Sequence, residues 1–537
     1  MHSDDGKIQF DYIIVGAGSA GCVLAHRLSA SGRCSVLLLE AGPPDTNPWI
    51  HIPLGYGKLF KDARVNWQYK TAPEGELLGR EIFQPRGKVL GGSSSINGLV
   101  YVRGQREDFD AWRDAGNPGW GYADVLPYFK RSEDQSRGAG DYHGVGGPLA
   151  VSDPSEPHVL CDAFIAAAEA RGYARNPDFN GSAQEGFGYF QSTSRNGIRC
   201  SAAAAYLRPA RRHRGLRIVT GALTTGITFS HRRATGVEWR HGSVVRGAQA
   251  MREVLVCAGA INSVQLLELS GLGCADFLRN RGVEVRHDLP GVGAGLQDHL
   301  QVRTVVRCTH AITLNDDMRS LRRQAVIGAR YLLRRKGPLT VSAGYAGGFF
   351  RTSPGLSRPD AQVHFITFST DKMGEKLHPF SGFTASVCQL QPESRGSVHI
   401  AGPDPETAPV IRCGYLSTEN DRRVTVDALQ ALRRILRALP LRRYYAEEIE
   451  PGKSRHSDDE VLAFCRERGS SIYHAAGTAR MGSDAMAVVD ARLRVRGMTG
   501  LRVVDASIMP ALVSGNSNAA VIMIAEKAAD MILEDNR

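Results

Sequence analysis

The sequence of 537 residues has no run of about 18 or more apolar residues, so we predict no transmembrane helix. Its first residues, Met1 to Asp11, are polar and acidic and lack a basic segment followed by an apolar one, so we predict no secretory signal. Internal repeats and low-complexity tracts are also missing, which excludes a repeat architecture. Hydrophobic residues make up 42% and charged residues 23% of the chain, the balance of a soluble globular protein.

Paired cysteine motifs are absent as well. Ten cysteines are scattered along the chain, and none forms a CxxC pair or a zinc-type cluster. Several lie inside apolar segments, as Cys22 and Cys257 do. Reduced, buried thiols of this kind are typical of a cytoplasmic protein, so we expect a cytoplasmic location and no metal site.

The chain has no excess of acidic residues, because its formal net charge is +11. Two segments, Arg208 to Arg217 and Arg319 to Lys336, are rich in arginine. The second has the pattern of a basic amphipathic helix, for which two interpretations stay open. One is peripheral contact with an anionic inner-membrane surface, and the favoured one is a solvated helix of a basic protein. No motif supports nucleic-acid binding, and diffuse positive charge alone does not predict it.

The first forty residues have the pattern of a dinucleotide-binding fold. Phe10 to Val15 predicts a buried parallel strand, Cys22 to Leu28 has helical spacing, and Ser35 to Leu39 predicts a second buried strand. A GxGxxG turn joins the first strand to the helix, and Glu40 follows the second strand. This order of strand, turn, helix and strand opens a Rossmann-like domain.

Each glycine of the turn has a separate task. Gly16 allows the tight turn, Gly18 lets a pyrophosphate approach the backbone, and Gly21 lets the helix pack on the strand. The helix N-terminus offers amide donors and a positive dipole to the phosphates. Glu40 lies where a carboxylate accepts hydrogen bonds from ribose hydroxyls, and no arginine for a 2′-phosphate follows it. This favours FAD or NAD over NADP, and a glycine turn without a ligand is the less favoured alternative.

A second glycine-rich segment, Gly87 to Gly98, reads GKVLGGSSSING. Its many free amides and bare backbone can surround a flavin ring at close range, which favours FAD over NAD. Taken alone, the segment fits any anion-binding loop. Residues 43 to 120 as a whole are rich in Gly, Pro and aromatic residues, which predicts long loops laid over a ligand.

The rest of the chain predicts a second unit inserted into the first. Strand-like runs at 216–240 and Val254 to Cys257 continue the nucleotide fold, whereas alternating segments such as AQVHFITF within 301–450 predict an antiparallel sheet flanked by long helices. Leu501 to Val504 predicts the last strand, and an apolar helix begins near Ala519. We therefore predict an α/β protein with a discontinuous FAD-binding domain (1–155, 200–300 and 455–537) and an inserted α+β substrate-binding domain (156–199 and 301–454).

Five segments in order give the chain a family resemblance. GKVLGGSSSINGLVYVRG and GAINSVQLLELSGLG resemble the two signatures of the glucose–methanol–choline (GMC) oxidoreductases. Val264 departs from the second signature, where relatives usually have proline or serine, and this affects a local turn rather than the chemistry. DLPGVGAGLQDH, SIYHAAGTARMG and the segment 503–530 also match. The resemblance covers nearly the whole chain and is greatest to bacterial choline-dehydrogenase-like and aliphatic alcohol dehydrogenases.

The resemblance implies an active site at two residues. His474, in the HxxGT motif, matches the catalytic base, and Asn516, in SGNSN, matches the second catalytic position. An imidazole titrates near neutrality and can accept a hydroxyl proton, while an asparagine holds the alcohol oxygen without titrating. The implied reaction is FAD-dependent oxidation of an alcohol to the aldehyde, with the proton passing to His474 and the hydride to flavin N5.

The resemblance also implies how the cofactor is held. Ile96 stands where some relatives attach the flavin covalently through a histidine, so we predict dissociable FAD. Asp505 and Ala506 match the contacts to the ribityl and pyrophosphate region, and Leu223 matches the contact to the adenine. The full set of predicted cofactor-binding residues is Gly16, Gly18, Ser19, Ala20, Gly21, Glu40, Ala41, Trp67, Arg86, Gly87, Val89, Gly91, Gly92, Ser93, Asn97, Gly98, Leu99, Val100, Leu223, Ala258, Gly259, Asp505, Ala506, Asn516 and Ala519.

The substrate and the electron acceptor stay more open. Choline-using relatives commonly have an acid two residues after the LQDH histidine, whereas this chain has neutral Gln301, which favours an uncharged primary alcohol. Tyr473 is a second candidate substrate contact, and His299 is expected only to brace its loop. The leading hypothesis is a dehydrogenase that reduces a quinone or another carrier. An oxidase that uses O₂, a hydroxynitrile-lyase-like enzyme, a choline-specific enzyme and a non-catalytic flavin module remain alternatives.

Overall fold

A computed structural model describes residues 8–372 and 374–536. The start of the chain, for which we predict no secretory signal, lies outside this part up to residue 7. Two seven-stranded sheets dominate the architecture. Within the described ranges, no helix is at once long enough and apolar enough to span a bilayer.

The two sheets contain fourteen strands. In chain order they are β1 Ile8–Val15, β2 Val36–Glu40, β3 Gly186–Tyr189, β4 Leu216–Thr220, β5 Leu223–Ser230, β6 Arg233–His241, β7 Val244–Val256, β8 Leu300–Cys308, β9 Ala346–Phe350, β10 Ala361–Ile366, β11 Gly382–Gln389, β12 Tyr445–Glu450, β13 Ser470–Ser471 and β14 Leu501–Val503.

Among the described residues, nine α-helices have nine or more residues. They are α1 Ser19–Ser29, α2 Arg106–Asp114, α3 Tyr122–Ser132, α4 Val159–Glu169, α5 Gly259–Leu269, α6 Leu321–Arg334, α7 Glu419–Leu436, α8 Asp458–Arg468 and α9 Asn518–Asp535. Shorter helices are Pro48–His51, Tyr56–Leu59, Arg208–Ala210, Ala275–Asn280, Leu314–Asp317 and Leu439–Arg442, and short 3₁₀ or π turns are Pro53–Gly55, Gly75–Leu77, Gly92–Ser95, Ala203–Leu207, Pro338–Thr340 and Ala506–Ile508. Small two- and three-stranded sheets use Tyr69–Lys70, Phe83–Gln84, Glu133–Gln135, Leu149–Val151, Ser194–Arg195, Ile198–Arg199, Leu272–Gly273, His287–Asp288, Ala294–Leu296, Gly396–His399 and Val410–Arg412.

The first sheet contains the predicted nucleotide fold. Its parallel part has the order β4-β2-β1-β7-β14, so the strand that comes last in the chain pairs beside β7. The apolar runs of β1 and β2 are buried on both faces, as expected of central parallel strands. The first half of β7 pairs antiparallel with β6, and β6 with β5. Helices α1 and α9 pack together on this sheet, where Arg27 of α1 forms ion pairs with Glu526 and Asp530 of α9.

The second sheet is antiparallel, with the order β12-β8-β11-β10-β9-β3 and β13 beside β8. Alternate residues of its strands form a second hydrophobic core with helices α4 and α7. In that core the rings of Phe164 and Phe365 stack with centroids 4.5 Å apart. The intervening residues of the same strands point to the opposite face, which adjoins the first sheet's unit. This confirms the predicted α/β fold with an antiparallel sheet in its inserted part.

The exact domain limits stay a prediction. Strand β8 begins at Leu300, and Ser470–Ser471 pairs with it, although both segments belong to the proposed FAD-binding domain. Here the chain passes from one sheet to the other, and the loop after β13 reaches the cavity between them.

Candidate active site

A single long cavity of about 770 Å³ lies between the two sheets. Its wall contains the glycine turn after β1 at one part and His474 at another. Twenty-one of the predicted cofactor residues line it: Gly16, Gly18, Ser19, Ala20, Glu40, Ala41, Trp67, Arg86, Gly87, Gly92, Ser93, Asn97, Gly98, Leu99, Val100, Leu223, Ala258, Gly259, Asp505, Ala506 and Asn516. The two predicted substrate contacts, Tyr473 and Gln301, line it as well.

The glycine turn leaves a bare stretch of backbone on the cavity wall. Gly16 has a φ of +97°, which an L side chain rarely adopts. A Cβ on Gly21 would lie 1.9 Å from the carbonyl oxygen of Gly16, so helix α1 packs there without room for a methyl group. A Cβ on Gly18 would meet no protein atom nearer than 3.8 Å. The space at Gly18 is therefore left open toward the cavity.

Helix α1 begins at this wall, and its N-terminus has no side-chain cap. The amides of its first turn have no carbonyl partner within the helix, and Gly18, Ser19 and Ala20 all border the cavity. Uncapped amides and the helix dipole together favour an anion. The turn therefore fits the pyrophosphate of a dinucleotide.

Glu40 closes β2 beside the same wall. Its carboxylate accepts hydrogen bonds from the amides of Ala17 (3.0 Å) and Gly42 (2.8 Å). Burial raises the pKa of Glu40 to about 7, against the effect of these two amides. The carboxylate still has lone pairs for a ribose hydroxyl.

The glycine–serine loop packs directly against the glycine turn. The amide of Gly91 donates to the carbonyl of Ala17 at 2.8 Å, and a Cβ on Gly92 would lie 2.7 Å from the Cα of Gly18. Arg86, which precedes the loop, lines the cavity and has a buried Nε without a hydrogen-bond partner in the described part of the chain. Two bare loops in contact, with an unsatisfied cation beside them, make a cradle that fits a flavin dinucleotide.

The imidazole of His474 forms a hydrogen-bonded chain with a second histidine. Its Nδ1 lies 2.9 Å from Nδ1 of His299, whose Nε2 lies 2.9 Å from the carbonyl oxygen of Leu390. A carbonyl only accepts, so neutral His299 carries its proton on Nε2 and accepts at Nδ1. His474 must then donate from Nδ1, which leaves the lone pair on its Nε2. The arrangement fixes the tautomer of His474 and leaves its Nε2 able to accept a proton.

The free Nε2 of His474 faces Asn516. The amide nitrogen of Asn516 lies 3.2 Å from it, and the amide oxygen accepts from Gln362 at 3.2 Å. The same Gln362 nitrogen lies 3.2 Å from Nε2 of His364. Gln362 therefore orients Asn516, so that a donor and a basic nitrogen converge on one part of the cavity.

Burial keeps these histidines neutral. It lowers the pKa of His474 well below its ordinary value, and unfavourable electrostatic interactions with Arg86 and with the two neighbouring imidazoles, should they become protonated, lower it further. Burial likewise lowers the pKa of His364 to about 4. A base must be unprotonated to act, and His474 meets that condition at neutral pH.

Two sequence models of the GMC oxidoreductases match residues 10–301 and 392–525. The chain belongs to the GMC oxidoreductase family. It is 43% identical over 527 residues to an alcohol dehydrogenase [acceptor] of Pseudomonas putida, covering 98% of this chain and 96% of that protein. It is 44% identical over 533 residues to an oxygen-dependent choline dehydrogenase of Xanthomonas axonopodis pv. citri, covering 98% and 95%. The predicted resemblance is confirmed.

Two solved structures of oxidases superpose on nearly the whole length of this GMC oxidoreductase. Pyridoxine 4-oxidase from Mesorbium loti superposes with a TM-score of 0.88 at 32% identity, covering 97% of this chain and 98% of that one. A formate oxidase superposes with a TM-score of 0.92 at 24% identity, covering 98% and 99%, and this likeness concerns the fold alone.

Four predicted cofactor residues of the GMC oxidoreductase do not line the cavity. Gly21 lies under helix α1 against Gly16, and Gly91 packs against Ser95 and Ala203. Val89 belongs to a small core with Ile50 and Leu59, and Ala519 belongs to the main core. Each stands within two residues of a lining residue in the sequence, so the motifs give the right loop but not the direction of every side chain.

Sequence reasoning missed the residues that support His474. His299, expected only to brace its loop, contacts His474 directly. Asp298 accepts the backbone amides of His299 and His474 on one oxygen, at 2.9 and 2.7 Å, and the hydroxyls of Ser471 and Tyr415 on the other, at 2.5 and 2.6 Å. This buried carboxylate therefore fixes the backbone on both sides of the histidine pair.

Besides the predicted Tyr473 and Gln301, further residues line the cavity near the second sheet, and sequence reasoning missed them. His364, Ser386 and Arg303 line it from the second sheet, and Phe60 lines it from a short loop. Tyr473 packs its ring 5.5 Å from that of Phe60 and has a φ of +72°, a strained value for a non-glycine residue. The alternation in AQVHFITF contains the signal for His364, since it places Gln362 and His364 on the face opposite to Val363.

Proposed function

We propose that this GMC oxidoreductase oxidises an alcohol to the aldehyde with FAD, and that His474 accepts the hydroxyl proton. The observation that carries the proposal is the unprotonated Nε2 of His474, which faces the amide of Asn516 at 3.2 Å on the wall of a dinucleotide-sized cavity. The named activities of the relatives, alcohol dehydrogenase and choline dehydrogenase, support it.

The chain's own residues perform the proton transfer. A substrate hydroxyl bound beside Nε2 of His474 donates its proton there, while its oxygen accepts a hydrogen bond from Asn516. The positive charge that His474 gains is shared with His299 through the hydrogen bond between their Nδ1 atoms. When bound, FAD supplies the two-electron acceptor for the hydride that leaves the alcohol carbon.

The cofactor would be held without a covalent bond. Gly18 and Ser19 would hold the pyrophosphate, Glu40 the ribose, and the loop from Arg86 to Asn97 the flavin. Ile96 also lines the cavity, and its hydrocarbon side chain has no nucleophile for a bond to the flavin. Denaturation without proteolysis is therefore expected to release all of the flavin into the supernatant.

The test of the function is reduction of the flavin by an alcohol without oxygen. A primary alcohol should bleach the visible flavin band of the wild-type protein. His474→Ala should retain FAD but reduce it about 10²- to 10⁴-fold more slowly, the range for loss of a positioned base. Normal reduction by His474→Ala would contradict the assignment of the base, and a flavin that no alcohol bleaches would favour the lyase-like alternative.

We propose that the electrons pass to a quinone-type or other carrier, with O₂ as the alternative. The relative named alcohol dehydrogenase [acceptor] supports a carrier, whereas those named oxygen-dependent choline dehydrogenase and pyridoxine 4-oxidase support O₂. Admission of air to the reduced enzyme separates them. Slow return of the flavin band, accelerated by a soluble quinone, is expected for the dehydrogenase.

We also propose that the protein is cytoplasmic and contacts the anionic surface of the inner membrane. All ten cysteines are free, and nine of them are buried, which supports a reducing compartment. Helix α6 supports the membrane contact, because it exposes Leu321 (83%), Leu332 (70%) and Leu333 (84%) and buries only Tyr331. A solvated helix does not need exposed leucines of this number.

The charges around helix α6 complement an anionic lipid surface. Its exposed leucines and Val326 lie within an arc of roughly 140° of the helix. Arginines follow on one side of this arc, and the segment from Leu321 to Lys336 contains no acidic residue. Shortly after the helix, Ala343 lines the cavity. Membrane contact at α6 would therefore bring a lipid-soluble acceptor close to the site.

Sedimentation with vesicles tests this contact. Phosphatidylglycerol-containing vesicles should bind the wild-type protein more tightly than phosphatidylcholine vesicles, and added salt should weaken that binding. Leu332→Ser with Leu333→Ser should weaken it about ten-fold or more. Leu439→Ser is the matched control, because Leu439 is 80% exposed but outside α6. Equal binding by both variants would contradict the proposal.

A further inference from the structure

The face of the second sheet that adjoins the cavity is polar and carries one cation. Along β8, Gln301 and Arg303 line the cavity, whereas Val302 between them belongs to the second core, as strand alternation requires. Arg303 stands directly opposite Ser386 of β11, and Ser386 stands opposite His364 of β10. A row of hydrogen-bonding groups thus continues from the catalytic histidines toward Arg303.

The guanidinium of Arg303 lacks an anionic partner in the described part of the chain. Its Nη1 donates only to the backbone carbonyl of Asp371 at 3.2 Å, and its Nη2 is buried without any hydrogen-bond partner. Two carboxylates that act on Arg303 through space are engaged elsewhere, Glu450 with Arg468 and Asp371 with His378 at 3.0 Å. Arg303 is half-buried, and its buried Nη2 is out of reach of water. A charged group that lacks both water and a partner is unfavourable, so this nitrogen stays unsatisfied in the described part of the protein.

The distance between Arg303 and the base gives the size of the group that would satisfy it. His299, which contacts the base His474, immediately precedes β8, and Arg303 is four residues further along the chain, so the backbones of His299 and Arg303 are separated by roughly 13 Å. The side chains of both histidine and arginine shorten this gap. A substrate of several carbons, with its hydroxyl at one end and an anion at the other, would reach from His474 to Arg303.

We propose that Arg303 determines specificity by binding a carboxylate at the end of the alcohol substrate remote from its hydroxyl. The inference rests on the proposed alcohol oxidation and names its substrate class, hydroxy acids. It replaces the uncharged alcohol that neutral Gln301 alone led us to expect. A carboxylate would be attracted by Arg303, whereas the quaternary ammonium of choline would be repelled by it.

The first test is binding, which does not depend on turnover. Hexanoate, which has the carboxylate but no hydroxyl, is titrated into the FAD-loaded protein and followed by the flavin spectrum and by thermal unfolding. The wild type should bind it, and Arg303→Gln should weaken binding about ten-fold or more, because a hydrogen-bonded charge is lost. Arg307→Gln is the matched control, since it removes an exposed arginine from the same strand. No binding by the wild type, or equal binding by Arg303→Gln, would overturn the proposal.

The second test is turnover of a matched pair, ω-hydroxyhexanoate and hexan-1-ol. Wild-type kcat/KM should favour the hydroxy acid at least ten-fold. Arg303→Gln should bring the ratio of the two kcat/KM values close to one, with the larger loss for the hydroxy acid. Arg303→Lys should restore part of the preference for the hydroxy acid. If Arg303→Gln fails to fold, Arg303→Lys is used in its place. A wild type that oxidises hexan-1-ol without preferring the acid would overturn the Arg303 assignment alone. A flavin that neither alcohol reduces would instead contradict the proposed function, and hexanoate binding would still decide the role of Arg303.

Discussion

At the scale of single residues, the site depends on where two imidazoles hold their protons. The carbonyl of Leu390 fixes His299, and His299 fixes His474. His299→Ala removes the acceptor of the His474 Nδ1 proton, so both tautomers of His474 become available. We expect flavin reduction to slow about 10- to 100-fold, the effect of losing one hydrogen bond of about 1–3 kcal/mol.

The pH profile distinguishes this positioning role from a general structural one. In His299→Ala, water that enters the space of the lost imidazole should relieve the burial of His474 and move its pKa upward, toward its ordinary value. The acid limb of the rate of flavin reduction should therefore move to higher pH, at unchanged FAD content. An unaltered profile in a slower enzyme would mean that His299 acts only through packing.

The sequence was informative about individual residues only where a motif named them. His474 and Asn516 stand in short motifs, and the structure brings them within 3.2 Å of each other. Asp298 and His299 stand in the LQDH motif, but their role depends on contacts with Ser471 and Leu390, far away in the chain. Arg303 has no motif at all. Its place in the cavity follows from sheet pairing, which the linear pattern does not specify.

At the scale of elements, two glycines of one turn serve different purposes. A Cβ on Gly21 would overlap the carbonyl of Gly16, whereas a Cβ on Gly18 would meet only open space within the protein. We expect Gly21→Ala to destabilise the fold by about 1–3 kcal/mol or more, because β1 and α1 must separate. Gly18→Val should fold normally and lose FAD. Thermal unfolding and the ratio of flavin to protein absorbance measure the two effects.

Each of the two glycine variants has an outcome that would contradict its assigned role. A stable, fully yellow Gly18→Val protein would contradict the pyrophosphate site at this turn. A Gly21→Ala protein with unchanged unfolding temperature would show that α1 shifts at little cost.

The opening elements were predictable because their signals are local. β1, α1 and β2 occur where apolar runs, glycines and Glu40 place them. The long strand β7 was anticipated only at its end, Val254 to Cys257, because its first half, Val244 onward, is polar and pairs as an edge hairpin. The order of strands in either sheet depends on contacts between distant segments, and no local pattern contains it.

At the scale of the whole molecule, two histidines whose pKa values are shifted in opposite directions, buried His364 and half-buried His143, contribute to the dependence of stability on pH. Burial lowers the pKa of His364 to about 4, and the hydrogen bonds that His143 donates to the carboxylates of Asp178 and Glu133 raise the pKa of His143 to about 9. The unfolded chain titrates both near 6.5. The stability that neutral His364 contributes is complete above about pH 6.5 and is lost as the pH falls toward 4. The stability that protonated His143 contributes is complete below about pH 6.5 and is lost as the pH rises toward 9.

The unfolding temperature of the FAD-saturated protein should therefore be highest near pH 6.5 and fall by roughly a few degrees on each side. His364→Gln should flatten the acid side, and His143→Gln the alkaline side. His231→Gln, at an exposed turn, is the control and should alter neither. Identical curves for all four proteins would mean that other groups determine the pH dependence.

The late position of strand β14 has a consequence for synthesis on the ribosome. The open edge of β7 forms once residue 256 has emerged, but its partner, Leu501–Val503, is translated 245 residues later (501 − 256). At cellular elongation rates this interval is roughly ten seconds to a minute. Throughout it, a nascent chain presents an unpaired hydrophobic strand edge of the kind that chaperones recognise. His474 and Asn516, the proposed catalytic pair, also emerge late. A chain that stops early therefore has an open sheet edge and lacks part of this pair, so we expect folding and activity to be acquired together at the end of translation.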